Sequence, residues 1–295
     1  MFESIKAQVF IEKALGRPNI DNAYKKVDID DPWYNTINKV HESLEEIKKI
    51  DNTLIEIKSF DNLTLRGRYY PSENNDAPTL IFIHGFTSHA ERESAFPGLF
   101  YLSLGFNVLI PYQRAHGLSE GNFITLGALE SKDMEDWIAK VNEITPKSKI
   151  VLHGLSMGGG IALDLINKEL NNVVGIISDA PSLSIEGFFN NVCKEVFKDK
   201  GEKVAKCAIK RFNKLFNVDI NNFNRVNNMK SAKYPLLLTA GSMEGFDEIF
   251  SYMKEISKTK VDILILKGCN HGNGMYKQTK AYHSAINKFV KKVLK

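Results

Sequence analysis

The sequence predicts an α/β fold in which a mainly parallel central sheet carries helices on both faces. Two patterns point to it. From residue 53 onward, short runs of Ile, Val, Leu and Phe recur, apolar at consecutive positions, as suits strands covered on both sides. Between them lie stretches whose apolar residues fall three or four apart, the period of a helix with one buried face. With 43% hydrophobic and 25% charged residues over 295 positions, there is apolar surface for one large domain with an insertion or for two small ones.

Residues 1–52 read as a helical extension. Between Met1 and Lys13 the apolar residues are interrupted by Glu3, Lys6, Gln8 and Glu12, so the continuous apolar core of a secretory signal is absent. Packing of this segment on the domain is expected, with an amphipathic helix lying on a membrane as the alternative. Next, Thr53–Phe60 and Leu63–Tyr70 alternate polar and apolar residues around Asp61-Asn62, a hairpin pattern. Strands are then expected at Thr79–Ile83, Phe106–Ile110, Ile150–Leu152, Val173–Ile177, Leu236–Leu238 and Val261–Leu266. Helical spacing marks Leu129–Ile144, Met157–Leu170, Phe246–Ile256 and Tyr276–Leu294.

One stretch breaks the alternation. Residues 182–233 exceed what a single crossover needs. Val204, Ala208, Phe212 and Leu215/Phe216 mark one amphipathic helix in it, and Phe188, Phe189, Val192, Val196 and Phe197 another. We expect a helical cap here, inserted into a core made of residues 53–181 and 234–295. Its eleven Lys/Arg against five Asp/Glu fit a solvated outer face, with attraction of acidic substrates as the sharper alternative.

Composition excludes several classes. A net charge of +4 without an arginine-rich run or aromatic-basic interleaving argues against a nucleic-acid partner. Nowhere do 18 apolar residues run together, so stable membrane insertion is not expected. Cys193, Cys207 and Cys269 are too few and too scattered for a disulfide framework or a metal site, and reduced thiols suit a cytoplasmic protein. No cofactor and no metal are expected, and oligomeric state is left open.

The chemistry concentrates at Ser156. Ile150-Val-Leu-His-Gly-Leu-Ser156-Met-Gly-Gly-Gly runs from an apolar strand through a glycine-flanked serine into small helix-forming residues. This is the layout of a tight strand-to-helix turn that exposes one hydroxyl. The G-x-S-x-G pattern alone is permissive, since about 0.1 matches arise by chance in a chain this long. This chain carries a second, Gly117-Leu-Ser119-Glu-Gly121, which lacks the strand before it and the helix after it.

A serine hydroxyl needs a base. His271, in the glycine-bearing loop Lys267-Gly-Cys-Asn-His271-Gly272 after the last strand, is the candidate. His84 and His153 sit at strand ends before glycines and read as packed structural residues, His283 falls in a helix, and His41 lies upstream of the sheet. An acid must orient the imidazole. Glu244, three residues beyond Gly241, is favoured. Asp247, one turn further, is the fallback, with a helix-capping role as its bland reading. Asp179 is a third option, though Ala180-Pro181 suggests a structural turn. For an oxyanion, the backbone amide of Met157 supplies one donor and that of Phe86, in the loop after the first parallel strand, the other.

Taken together and in order, strand-His84-Gly85-Phe86, Gly-Leu-Ser156-Met-Gly and the late Asn270-His271-Gly272 resemble the α/β-hydrolase superfamily. The resemblance is closest to small bacterial esterase and prolyl-oligopeptidase-like serine hydrolases with a helical cap, and covers roughly residues 53–295. It implies Ser156 as nucleophile, His271 as base and the Phe86 and Met157 amides as oxyanion hole. It also accounts for Ser119: Tyr112-Gln-Arg114-Ala-His-Gly-Leu-Ser119-Glu-Gly121 resembles the family's Asp-x-Arg-Gly-x-Gly-x-Ser loop, where the serine is structural. Here Tyr112 replaces the opening aspartate, Ala115 replaces a glycine, and Glu244 stands where the family usually has Asp. The implied activity is hydrolysis of a small carboxylic ester through an acyl-enzyme. Alternatives are a peptidase or amidase, an interfacial lipase with the cap as lid, and a non-catalytic binding module on the same fold.

Overall fold

In the computed structural model, residues 2–19, 30–31, 33–74 and 76–295 are described. Parts of the predicted N-terminal extension (residues 1, 20–29 and 32) and residue 75 lie outside them. The hairpin forms as the alternation requires. Strands β1 (Thr53–Lys58) and β2 (Thr64–Tyr70) pair antiparallel, Ile57 opposite Leu65, and Asn62 takes the left-handed turn position at φ 68°, which Asn tolerates well.

The remaining strands are β3 (Thr79–Ile83), β4 (Asn107–Pro111), β5 (Ile150–Leu155), β6 (Val173–Asp179), β7 (Leu236–Gly241) and β8 (Val261–Leu266). They complete one eight-stranded sheet in the order β1-β2-β4-β3-β5-β6-β7-β8. All pairs from β4 to β8 are parallel. Alternate residues feed two apolar layers: Ile81 and Ile83 of β3 pack on one side, Leu80 and Phe82 on the other. Every side chain of β3, β4, β5 and β7 is buried. That burial explains why these strands read as continuous apolar runs rather than alternations.

Helices α1 (Phe2–Phe10), α4 (Glu130–Ile144), α5 (Met157–Asp164) and α9 (Asp247–Ile256) contribute to the first layer. Helices α2 (Tyr34–Ile47), α3 (Ala90–Ser103), α10 (Gly274–Lys277) and α11 (Thr279–Val293) contribute to the second. Between β6 and β7 stand α6 (Ile185–Phe197), α7 (Gly201–Phe216) and the short α8 (Arg225–Asn228). The N-terminal α1 lies on α7, with Phe10 against Phe189 and Phe197.

Three elements differ from the sequence expectation. Helix α3 carries Pro97 and buries Glu93, Ser94 and Gly98, so both faces are mixed and no helical period stands out. Helix α5 stops at Asp164, six residues before the expected end; that carboxylate is taken by the fully buried Arg225 of α8, 2.7 Å away. The C-terminal helix is broken at Gln278 into α10 and α11. No described helix is long and apolar enough to cross a membrane.

Candidate active site

The turn from β5 into α5 explains both glycines of the serine motif. Ser156 sits at φ 58°, ψ −114°, a sparsely populated conformation costing about 1–3 kcal/mol unless its surroundings enforce it. They do. A Cβ on Gly154 would lie 2.0 Å from the Gly158 carbonyl oxygen, and one on Gly158 only 1.9 Å from that of Ile83. Strand and helix backbones therefore cross in contact, and the serine between them projects from the apex. Its amide donates to Asp179 O (2.8 Å), and its carbonyl accepts from Ser182 (3.0 Å).

The Ser156 hydroxyl lies 2.8 Å from His271 Nε2, and His271 Nδ1 lies 2.7 Å from Glu244 Oε1. These partners stand on loops that follow the neighbouring strands β8 and β7. The loops are joined directly: Met243 N donates to Cys269 O (3.1 Å) and Gly268 N to the Ser242 hydroxyl (3.0 Å). Glu244 is further held by the Gly241 amide, which donates to Oε2 at 2.8 Å. Its side chain is 8% exposed, that of His271 58%. The hydrogen bond that His271 donates to Glu244 raises the His271 pKa above its ordinary value against the opposing effect of burial. Asp247 instead opens α9 in an exposed position, without a hydrogen bond to His271 among the described residues.

Phe86 and Met157 follow the two elements that meet at the serine, β3 and β5. Among the described residues neither amide has a hydrogen-bond acceptor; for Met157 this follows from its place at the start of a helix. The loop bearing Phe86 is fixed by Glu93, whose carboxylate accepts from the Gly85 amide. Glu93 was not singled out in the sequence. It is a buried acid on α3, and only its place among small residues hinted that it turns inward.

The other candidates are engaged elsewhere. The Ser119 hydroxyl, 1% exposed, donates to Tyr112 O (2.5 Å) and accepts from Arg66 N (2.8 Å). Ala115 keeps the left-handed turn of that loop at φ 61° although it is not glycine. His84 contacts Gly85 O and Gln113 N. His153 lies between Tyr101 and Tyr282, and burial pushes its pKa down to about 3. His283 stacks on Phe100. Asp179 accepts from the Tyr282 hydroxyl at 2.7 Å, and burial pushes its pKa up to about 7.

A cavity of about 260 Å³ opens at Ser156 and His271, lined by Phe86, Leu155 and Tyr276 and by Trp33, Ile37 and Val40 of the N-terminal extension. Larger hollows, about 740 Å³ beside Phe60 and Asp136 and about 880 Å³ on the outer face of the insertion, hold neither a histidine nor the serine turn. No cluster of His, Cys, Asp and Glu suited to a metal occurs among the described residues.

Known proteins share this architecture. A model of the family described as serine aminopeptidase, S33, matches residues 74–275. Protein bem46 of Schizosaccharomyces pombe is 28% identical over 146 residues, 45% of this chain and 48% of that protein. The chain spans less than half the length of the curated relatives it matches. Among solved structures, the Pyrococcus furiosus esterase Pf2001 superposes with a TM-score of 0.66 at 23% identity, covering 92% of this chain and 97% of that one. The Pyrococcus horikoshii acylaminoacyl peptidase gives 0.58 at 18% identity, over 84% of this chain and 42% of that one. At such identities the structural likeness speaks for the fold.

Proposed function

This chain belongs to the serine aminopeptidase S33 family of α/β-hydrolases; from that premise we propose that it is a hydrolase and that it cleaves small carboxylic esters through an acyl-enzyme on Ser156. The observation that carries this reading is the unbroken line from Ser156 Oγ through His271 to Glu244, with contacts of 2.8 and 2.7 Å. Both are hydrogen-bond distances, so the hydroxyl and its base are within proton-transfer reach before any substrate binds.

In this mechanism Ser156 Oγ attacks the acyl carbon while His271 Nε2 takes the hydroxyl proton. Glu244 holds the ring with its proton on Nδ1 and stabilises the imidazolium. The carbonyl oxygen becomes an oxyanion held by the Phe86 and Met157 amides, donors whose individual removal typically costs about 100- to 1,000-fold in rate. Collapse expels the alcohol, which receives the proton from His271. Water then attacks the acyl-enzyme with His271 again as base, and Ser156 and a carboxylic acid are released.

A second reading is hydrolysis of aminoacyl amides. The family description favours it. Labelling with a fluorophosphonate probe and turnover of short p-nitrophenyl esters test the main reading. Folded protein that is neither labelled nor active refutes it. Faster turnover of aminoacyl p-nitroanilides than of esters assigns the second.

A further inference from the structure

The wall of the cavity facing the core is not built from the insertion. It comes from α2, which precedes the sheet in the chain. Trp33, Thr36, Ile37 and Val40 fall on one side of this helix at helical spacing and line the space beside Ser156 and His271. Thr36 is 5% exposed, Ile37 9%, Val40 1% and Trp33 40%. The face thus runs from a deep valine to a tryptophan at the mouth, without a charge.

Helix α2 is not a loose flap. Its Leu44 and Ile47 continue the same face into the core beside α3 and β4, and Lys39 Nζ donates to Tyr276 O at 2.7 Å, tying α2 to the neighbouring α10. The insertion approaches through Phe188, set edge-on against Phe86 at 5.2 Å.

The enclosed space is small. At about 260 Å³ it lies below the roughly 300–1,000 Å³ of pockets for drug-sized ligands, and equals about nine water volumes. A carbon chain leaving the acyl carbon in this space meets Gly85, Phe86 and Leu155 as well as the face of α2.

We propose that α2 gauges acyl length. Short unbranched acyl groups, about four to six carbons, lie against Ile37 and Val40, and longer chains are stopped by Val40. The chemistry rests on the ester-hydrolase reading; the binding surface does not.

Two substitutions of opposite sense test this by the ratio of kcat/KM for p-nitrophenyl octanoate over butyrate. Val40→Ala removes two methyl groups that lie side by side, opening room for one to two methylenes. At about fourfold per newly buried methylene, the ratio rises roughly 4- to 16-fold. Val40→Leu adds one carbon and lowers it about fourfold. Thermal melting establishes that each variant is folded. A ratio within twofold of wild type in both folded variants overturns the proposal and leaves the ester reading intact.

Occupancy is read separately in Ser156→Ala by tryptophan fluorescence with methyl butyrate and methyl octanoate. Trp33→Phe in the same background is the blank, since Trp137 is fully buried elsewhere. Butyrate is expected to shift the Trp33 emission, and octanoate to do so only when Val40→Ala is added. If the wild type hydrolyses no ester and this shift occurs, the ester reading fails and the gauge stands. If butyrate produces no shift, the gauge fails.

Discussion

Replacing Glu244 probes the proposed acid at the atom where it acts. Its Oε1 lies 2.7 Å from His271 Nδ1, and its Oε2 accepts from the Gly241 amide at 2.8 Å. In Glu244→Asp the carboxylate retreats by one methylene, about 1.5 Å, and keeps at most one of these contacts. Losing a hydrogen bond to a charged group, about 1.5–3 kcal/mol, predicts a fall of roughly 10- to 150-fold in kcat/KM. Glu244→Gln acts differently. The Gly241 N–H draws the amide oxygen to its side, so the NH₂ group faces His271 Nδ1 and the ring must carry its proton on Nε2. It then meets Ser156 as a donor and cannot take the hydroxyl proton. The corresponding change in the general serine-triad template costs about 10⁴-fold, and a loss of that order is expected here. The assay is the second-order rate of fluorophosphonate labelling beside p-nitrophenyl ester turnover, with Asp247→Asn in parallel. Folded Glu244→Gln retaining more than a tenth of wild-type activity, or Asp247→Asn matching its loss, would refute the assignment.

Because Glu244 raises the His271 pKa and the base works only when neutral, kcat/KM is expected to rise with pH through a value above the ordinary 6.5. A pH–rate profile with its acid limb below 6.5 contradicts this. In stability the same pair has the opposite sense: its contribution is present below pH 6.5, is lost as pH rises through the raised value, and is small because the imidazole is more than half exposed. Asp179, pushed up to about 7 by burial, favours the folded state while protonated, below its usual value of about 3.8, and loses that contribution as pH rises through 7. Asp179→Asn should therefore gain stability over wild type between pH 5 and 8.5, by about 2–4 kcal/mol at most; a difference in urea midpoint that does not change with pH would count against it. Ser119→Ala should leave probe labelling unchanged but cost about 1–3 kcal/mol, because the Arg66 amide loses its acceptor; equilibrium denaturation checks the second half.

Legibility in the sequence followed the physics of each element. Strands buried on both faces announce themselves by composition, so β3 is found to the residue; the half-buried edge strand β8 is found equally well from its apolar run, while β5, β6 and β7 run further than expected. Their extra residues include His153 and Gly154 in β5 and Ser178 and Asp179 in β6, which are polar or small. They pair in the sheet because they reach the edge where the serine turn is built. The hydroxyl and the imidazole were legible because their loops have glycine-marked motifs. Glu93 and the α2 wall were not. Both act through burial against segments distant in the chain, Glu93 on Gly85 and Val40 beside Leu155, and no local period records a contact of that kind. Helix α3 escaped for a related reason: its inward Ser94, Pro97 and Gly98 are chosen for close approach to β4 and α2, which erases the apolar stripe.

The serine turn and the proton-transfer loops are stabilised in different ways, and the difference bears on how variants will behave. Ser156 is held in a costly conformation by packing on both sides, where Gly154 and Gly158 let the backbones lie in direct contact. All eight residues of α5 are buried behind it, and burying even one of its larger apolar side chains contributes about 1.5–3 kcal/mol, comparable to the strain at the serine. The proposed nucleophile is therefore positioned by the core itself. His271 has no such support: its ring is exposed and depends on two hydrogen bonds and on the main-chain links between the β7 and β8 loops. A loss of core packing should thus remove the fold and the nucleophile together, whereas a change at Glu244, Ser242 or Gly268 should leave a folded protein whose serine is in place and unactivated.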